Sequence, residues 1–447
     1  MNLTIDWLWL YIQVLLLVWV GFREFIRPYG RNVYAIALVG ATLVLVHGQT
    51  WWMFSEFTKQ DTVVISHLRK TISLHGARLA NVYIGLSVLC FFITYMILSH
   101  RKSSVPVNMP IYDKSVAISK LNGFLLSVWV LFFGIVAVNY LGGFKTILTK
   151  PGQFFGHGAT MFLVLVHVGR LQLLDKISRM QKIIMIDILL FGSIVIFQLF
   201  NGRGWTLFFL FQLLILMNYC RREVSRRIII GGVAIFLFIA IVFGTYRQFS
   251  GVIEKIELSN LQHAYKKYTG ADNTIDWFYS TAMEGFAGLA GILTYSDNQG
   301  GIAYDFGISN LSFWMKLIPY PIRLDPSLPF IEIENYIRNT YPYNESITRS
   351  GYESFYAHFG VIGVLGFGIL LGFLVCKLHN KMRKPGHNKL IIALFSAYIL
   401  LPLYGNLYFV FFYFMTEVCG LFAYRTIRLI SKTIAMSALE RKSILDI

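Results

Sequence analysis

Residues 354–376 read SFYAHFGVIGVLGFGILLGFLVC, an apolar stretch with no Lys, Arg, Asp or Glu that is long enough to cross a bilayer as a helix. The glycines within it favour close packing against neighbouring helices. Similar apolar runs recur along the chain, which has 447 residues, 56% of them hydrophobic and only 14% charged. The sequence therefore predicts an all-α polytopic integral membrane protein.

Hydropathy predicts about eleven transmembrane helices, and every second connection between them is short and basic. By the positive-inside rule these basic connections face the cytoplasm, which places the N-terminus outside and the C-terminus inside. The predicted spans cover residues 8–21, 34–52, 80–99, 121–141, 159–174, 183–200, 205–220, 228–246, 354–376, 390–403 and 407–424.

One long segment separates the eighth span from the ninth, and it faces the exterior in this topology. The chain thus divides into residues 1–245 with eight helices, an external loop at 246–353, and residues 354–447 with three helices and a basic cytoplasmic tail. The loop contains apolar runs rich in Trp, Tyr and Phe. We therefore expect it to fold as a cap over an active site, with amphipathic helices lying partly on the lipid surface.

The net charge of +17 comes from short basic clusters between apolar runs and not from one basic surface. It is typical of membrane orientation signals and does not indicate nucleic-acid binding. The sequence contains no HExxH, no Cys/His metal cluster, no glycine-rich phosphate loop and no GxSxG nucleophile. We predict neither a metal nor a cofactor, so an enzyme of this kind needs a membrane substrate that is already activated.

Arginines on the predicted external side are candidates for binding an anion, because guanidinium groups match phosphate oxygens. Arg203 lies in an NGRG break between two apolar runs, and ten residues separate Arg349 from Gly360. Arg203 has two open explanations, a headgroup anchor or a phosphate ligand. Further candidates for substrate binding are Arg247, Arg323, Arg338, Tyr343 and Asn344, although Glu254, Glu257, Glu284, Glu332 and Glu334 could pair with these arginines instead.

Ionisable residues inside predicted spans form a further group, because a charge within the bilayer suggests a function by default. Glu417 lies in the middle of the last span, where a structural pair and a functional role are both open. His47 lies within the second span. His167 and Arg170 lie close enough to the cytoplasmic side to reach it, which favours a structural role for both.

Together these features resemble the Wzy-type O-antigen and oligosaccharide repeat-unit polymerases, which are related to the O-antigen ligases. The similarity covers residues 183–374, and it consists of the architecture, the NGRG turn and the Arg-x10-Gly element that leads into YAHFGVIGVLGFGILLG. The resemblance implies that Arg203 and Arg349, with Arg247, hold the pyrophosphate of undecaprenyl-linked sugars.

The resemblance also implies a metal-independent glycosyltransferase of the inverting type in a bacterial plasma membrane, with its active site facing the periplasm or cell exterior. It would transfer a growing glycan from undecaprenyl pyrophosphate onto a lipid-linked repeat unit. The catalytic candidates are Arg203, Arg349 and, for removing the acceptor's proton, Glu345 or Glu353. The implied partners are undecaprenyl-pyrophosphate-linked oligosaccharides and membrane lipids, and binding of a chain-length regulator protein is an open question.

Two other functions stay open from the sequence. One is an O-antigen ligase that attaches glycan to the lipid A core, but such ligases carry a His-Asn pair where this chain has Tyr343, Asn344 and Glu345. The other is a non-enzymatic transporter or flippase for lipid-linked sugars. A transporter is expected to show inverted repeats and charged residues in mid-span, and the sequence has no repeat and few such charges.

Overall fold

The computed structural model describes residues 3–27, 30–65, 70–99, 285–302 and 350–383, with further positions at 211, 214–215, 218–219, 225–227, 229–231, 304, 306 and 396. All of them belong to one compact unit of the chain. They are mostly helical, in agreement with the predicted class, a helical membrane protein. The predicted eleven spans and their orientation stay predictions. Four described helices are long and apolar enough to cross a membrane, namely Thr4–Ile26, Val33–Phe57, Leu74–Ser99 and Gly351–Arg383.

The second of these spans is continuous but changes its helical type in the middle. It consists of α2 (Val33–Thr42), a π-helical turn (Leu43–His47) and α3 (Gly48–Phe57). Asn32 caps its start, because the Asn32 side chain accepts a hydrogen bond from the Ala35 N–H at 3.2 Å. The other helices are α1 (Thr4–Ile26), α4 (Leu74–Ser99), α5 (Gly285–Gln299) and α6 (Gly351–Arg383).

α1 extends beyond its predicted span, because the charged residues that end its apolar run are paired inside the protein. Hydropathy predicted a first span at 8–21, whereas α1 also includes Asp6 and Glu24. Asp6 forms an ion pair with Arg78 of α4 at 3.0 Å, and Glu24 forms one with Arg27 at 3.0 Å. A paired charge is tolerated within a helix bundle, so the helix continues past it.

The four candidate spans do not all run in the same direction. α1, α4 and α6 run in the same direction, and the span from α2 to α3 runs in the opposite direction. The contacts that establish this are Asp6–Arg78 and Trp19–Phe92 between α1 and α4, Trp7–Phe54 and Glu24–Asn32 between α1 and the second span, and Gly368–Ser87 and Gly372–Phe91 between α6 and α4.

Glycines of α6 let this helix approach α4 closely. A Cβ atom on Gly368 would overlap the Ser87 carbonyl oxygen, and a Cβ atom on Gly372 would lie 2.9 Å from the Phe91 carbonyl oxygen. Such spacing of small residues is typical of helix pairs in membranes. The prediction that the glycines of this span serve helix packing is therefore confirmed for Gly368 and Gly372 and not for Gly366, which meets no described atom within 4 Å.

A short β-hairpin between α3 and α4 departs from the all-α prediction. Strand β1 (Thr62–Ile65) pairs with strand β2 (Lys70–Ser73) in antiparallel register. Val63 lies opposite Ile72 and both are buried, whereas the next residue, Val64, is exposed. Alternating burial of β-branched residues is typical of a half-buried strand. Hydropathy alone treats this connection as a loop.

α5 is a described helix from the long predicted loop, and its first ten residues are buried. Each residue from Gly285 to Thr294 is buried. A helix on a lipid surface would expose one apolar stripe, which residues 285–294 do not, and amphipathic helices elsewhere in the loop stay a prediction. Their apolar composition is explained by packing against α3, α4 and α6.

Candidate functional site

The N-terminus of α5 is held by a side chain of α3. Gln49 Oε1 accepts hydrogen bonds from the Phe286 N–H at 2.9 Å and the Ala287 N–H at 3.0 Å. Gly285 packs on the π-helical turn, where a Cβ atom would lie 2.7 Å from the Leu45 carbonyl oxygen. The first N–H groups of a helix have no partner within the helix, and a buried site offers no bulk water to replace one. Gln49 therefore satisfies and fixes this end.

The second half of α5 is joined to the hairpin and to the start of α4. Thr294 Oγ1 accepts a hydrogen bond from the Ser73 N–H at 3.1 Å and donates one to the Ala290 carbonyl at 2.9 Å. Gly76 of α4 packs on the same turn, and a Cβ atom there would lie 2.9 Å from the Thr294 nitrogen. Residues 285–294 of α5 are thus held at their start by Gln49 and at their end by Ser73.

Glu353, one of the predicted catalytic residues, lies in the first turn of α6 and is only 1% exposed. Ser350 precedes the helix, and its Oγ accepts a hydrogen bond from the Glu353 N–H at 3.2 Å. The sequence Ser-Gly-Tyr-Glu at 350–353 is thus the Ser-x-x-Glu pattern of a helix capping box. The carboxylate packs on α5, because a Cβ atom on Gly288 would overlap Glu353 Oε2 and lie 3.3 Å from Ser350 Oγ.

Gly360, the glycine of the Arg-x10-Gly element, breaks α6 into two helical segments. Its φ of 64° and ψ of −150° fall in a region that is essentially restricted to glycine. The Tyr304 ring packs on it, and a Cβ atom on Gly360 would lie 3.0 Å from Tyr304 Cζ. The break releases the His358 carbonyl from the helical ladder, and the Phe306 N–H donates to it at 3.2 Å. The chain after α5 is thereby tied to the break in α6.

Aromatic rings surround the break. Tyr356 stacks on Tyr83 of α4 with ring centroids 6.1 Å apart, and it meets Tyr304 edge-on at 6.0 Å. Phe306 and Phe359 form a second edge-to-face pair at 6.3 Å. Tyr356 is buried, whereas Phe306 is 71% exposed. The cluster therefore runs from the interior of the protein to its surface.

The described site thus consists of α5, the first turns of α6 and positions 304 and 306. It includes Glu353 from the predicted set and Gly360 from the predicted motif. The intramembrane candidates His167, Arg170 and Glu417 lie outside the described residues, and so do the predicted site residues Arg203, Arg247, Arg323, Arg338, Tyr343, Asn344, Glu345 and Arg349.

Sequence reasoning missed a buried polar network between α1, the second span and α4. His47 donates from Nδ1 to the Thr42 carbonyl at 3.3 Å, and its Nε2 lies 3.1 Å from Gln13 Oε1. Gln13 Nε2 donates in turn to Asn81 Oδ1 at 2.9 Å. Both ring nitrogens of His47 contact the protein interior, which indicates a structural role. Gln13 and Asn81, amides within apolar runs, were the available signal.

A second residue that sequence reasoning missed is Glu24, which lies in the last turn of α1. It is fully buried, and its carboxylate accepts hydrogen bonds from the Asn32 N–H at 3.0 Å, from Arg27 Nη1 at 3.1 Å and from the Tyr95 hydroxyl. Arg226 Nη2 donates to the carbonyl of the last residue of α1 at 2.7 Å. These contacts satisfy the C-terminal end of α1, so we assign them to the packing of the bundle.

Within the part of the chain that the structure describes, no group of three or more His, Cys, Asp or Glu side chains is arranged to hold a metal ion. No family model, no curated protein and no solved structure matches this chain. The features from which function is inferred are therefore the sequence motifs and the described junction around Gly288, Glu353 and Gly360.

Proposed function

We propose that this chain is a polysaccharide polymerase that acts at the outer face of a bacterial plasma membrane, in O-antigen, capsule or exopolysaccharide synthesis. It transfers a growing glycan from undecaprenyl pyrophosphate onto the non-reducing sugar of a lipid-linked repeat unit. The bond between the anomeric carbon and the pyrophosphate oxygen breaks, and a bond from that carbon to the acceptor hydroxyl oxygen forms. The acceptor's proton passes to a base, and undecaprenyl pyrophosphate leaves.

Fixed cations stabilise the negative charge that develops on the leaving group of this reaction. The departing pyrophosphate gains negative charge in the transition state, and preorganised donors aimed at that charge lower the barrier. The guanidinium groups of Arg203 and Arg349 provide planar, bidentate donors for this purpose. Because the donor sugar is already activated, the reaction needs no nucleotide and no metal ion. The lipid-linked sugars are bound in addition by Arg247, Arg323, Arg338, Tyr343 and Asn344.

The observation that supports this proposal most is the break in α6 at Gly360. The motif that carries the family resemblance runs from Arg349 to this glycine, and the backbone at Gly360 requires a glycine. Gly368 and Gly372 of the same helix are needed for close packing against α4, whereas Gly360 is needed for its backbone conformation. The Arg-x10-Gly element of this sequence therefore ends at a position whose backbone conformation requires a glycine.

The surroundings of Glu353 favour Glu345 as the base that removes the acceptor's proton. Glu353 is buried against α5, where a sugar has no room. Glu345 follows Tyr343 and Asn344, at the place where the ligases carry their His-Asn pair. A carboxylate that acts as a general base raises the rate of such a transfer by roughly 10²–10⁴-fold.

A deletion strain tests the proposed reaction in a host whose glycan ends on the lipid A core. Loss of a polymerase leaves single repeat units on the surface lipid, because flipping and ligation continue. Loss of a ligase leaves bare core lipid instead. We expect single repeat units, and a return of the long-chain ladder when the wild-type gene, but not an Arg349→Ala variant, is supplied. Bare core lipid would contradict the proposal in favour of a ligase.

A further inference from the structure

Three residues meet where α5 packs against the start of α6. They are Gly288 of α5, Ser350 before α6, and Glu353 in its first turn. All three are buried, and the Glu353 carboxylate occupies the space directly over Gly288. The Ser350 hydroxyl accepts the Glu353 N–H at 3.2 Å, so the same two residues also cap the helix. We refer to these three residues as the α5–α6 lock.

The lock is a poor place for proton transfer. A general base must come within about 3 Å of the hydroxyl that it deprotonates, in a space that the substrate enters. The gap over Gly288 has no room for even one methyl group, because a Cβ atom there would overlap Glu353 Oε2. α5 is buried all round at this point and is held at Gln49 and Thr294, so the gap does not widen without breaking those contacts. A carboxylate in the first turn also stabilises the helix through its dipole.

We propose that Glu353 is a positioning residue and not the base. With Ser350 and Gly288 it fixes the N-terminus of α6 on α5, and Arg349 is the residue directly before Ser350 in the sequence. The inference rests on the proposed function only for the role of Arg349. Gly288 and Ser350 are thereby assigned to the reaction as residues that act through Arg349.

Substitution of Gly288 tests the lock against a matched control. Gly288→Ala forces Glu353 aside, whereas Gly40→Ala adds the same methyl group to helix α2, where no atom of the described residues lies within 4 Å. We expect Gly288→Ala to lower the polymerisation rate of the purified protein by roughly ten- to a hundredfold, because small displacements of a positioning group have effects of this size. Gly40→Ala should leave the rate unchanged. Equal rates for the two variants, at matched amounts of folded protein, would overturn the proposal.

A double-mutant cycle separates positioning from a general loss of stability. In an Arg349→Lys background, Gly288→Ala should have little further effect on the rate, because the residue that it displaces has already lost its bidentate contacts. A merely structural substitution would lower the rate by the same factor in both backgrounds. Effects that multiply would therefore overturn the assignment of Gly288 to Arg349.

Substitution of Glu353 by its amide decides between positioning and base catalysis. Glu353→Gln preserves the shape of the side chain and its ability to hydrogen-bond, but it cannot accept the acceptor's proton. We expect a rate within roughly tenfold of the wild type and an unchanged acidic limb of the pH–rate profile, against a loss of about 10²–10⁴ for a base. A loss of that larger size together with a missing acidic limb would show that Glu353 is the base.

Thermal unfolding in detergent separates failure of the lock from failure of the proposed function. If the wild-type protein makes no glycan ladder, the polymerase proposal fails, but the unfolding midpoints still report on the lock. A midpoint lowered by Gly288→Ala and not by Gly40→Ala supports the α5–α6 lock. Equal midpoints for the two variants overturn it, whatever the reaction of the protein is.

Discussion

α1 and α5 are both apolar helices, yet their surroundings are opposite. α1 turns one face outward, with Ile5 80% and Leu15 67% exposed, whereas α5 is buried from Gly285 to Thr294. α1 is long enough to cross a bilayer, and α5, with 15 residues, spans only about 22 Å of a hydrocarbon core near 30 Å. Hydropathy finds α1 as a span but does not reveal what surrounds α5.

The two helices also differ in what holds them. The outward residues of α1 are exposed and apolar, and on a helix that crosses a bilayer such residues face lipid, where many apolar side chains are equivalent. α5 is held at defined points, by Gln49 at its N-terminus, by Ser73 near its other end, and by Glu353 over Gly288. Substitutions should therefore be tolerated on the outward face of α1 and should be damaging where α5 meets α6.

The largest effect is expected at the proposed pyrophosphate ligands. Arg203→Lys and Arg349→Lys keep the charge but lose the bidentate fork, so each should raise the barrier by about 3 kcal/mol, roughly a hundredfold in rate. Arg→Ala at either position should abolish polymerisation with insertion and folding intact. The measurement is glycan chain length on gels at equal protein levels.

Arg23 of α1 is the control for this experiment. Its guanidinium lies over the Trp19 ring, 5.3 Å from the centroid, and its Nη1 lies 3.2 Å from Met96 Sδ of α4. Arg23→Lys should leave the ladder unchanged, because either side chain reaches the membrane surface. Wild-type ladders from the Arg203→Lys and Arg349→Lys variants as well would remove both arginines from the active site.

The next largest effect is expected at Gly360. Alanine at this position is forced into a conformation that costs about 1–3 kcal/mol, and its Cβ also meets the Tyr304 ring. Gly360→Ala should therefore lower polymerisation at least tenfold or prevent folding, and a folded fraction measured by size exclusion distinguishes the two. Gly366→Ala in the same helix, at a position that the described part of the chain leaves open within 4 Å, should behave like the wild type. Similar results for both glycines would contradict the role of the break.

A smaller effect is expected when α5 loses its cap. Gln49→Ala leaves the Phe286 and Ala287 N–H groups without their side-chain acceptor in a buried site, which should reduce the free energy of unfolding by roughly 2 kcal/mol. Denaturant titration in detergent measures this change. Gln60→Ala, on the exposed turn that follows α3, is the matched control and should change little. Equal stability of the two variants would show that α5 is not held at this end.

The smallest effect is expected on the outward face of α1. Leu15→Ala should change the free energy of unfolding by less than about 0.5 kcal/mol, because the side chain is 67% exposed and makes few contacts in the bundle. The same titration measures it. A change as large as that of Gln49→Ala would remove the contrast between the two helices and would indicate that another part of the chain covers this face.

Much of the fold was predictable, because each described candidate span is an apolar run that length and charge alone identify. The spans were predicted too short, since hydropathy ends a helix at Asp6 or Glu24 and does not reveal that their partners, Arg78 and Arg27, lie beside them. The surroundings of α5 were not predictable for a similar reason. A buried helix and a surface helix can share one composition, and only tertiary contacts separate them.

The sequence motifs of the candidate site could be predicted, but the roles of the individual residues could not. The Arg-x10-Gly element led to Gly360, but the positive φ there is a property of the fold. Ser350 and Glu353 form a Ser-x-x-Glu pattern that a search for helix starts would have found, and it favours a cap before it favours a base. A carboxylate near a predicted active site indicates proton transfer only when its surroundings leave space for the substrate.

The most direct measurement is a polymerisation assay with purified protein in liposomes, supplied with single undecaprenyl-pyrophosphate-linked repeat units and EDTA. We predict a ladder of lengthening glycans that still forms, with modest loss of rate, in the presence of the chelator. The Arg349→Ala protein should give no ladder under the same conditions. Folded wild-type protein that leaves the single repeats unchanged, or that needs one particular divalent ion to extend them, would contradict a metal-independent polymerase.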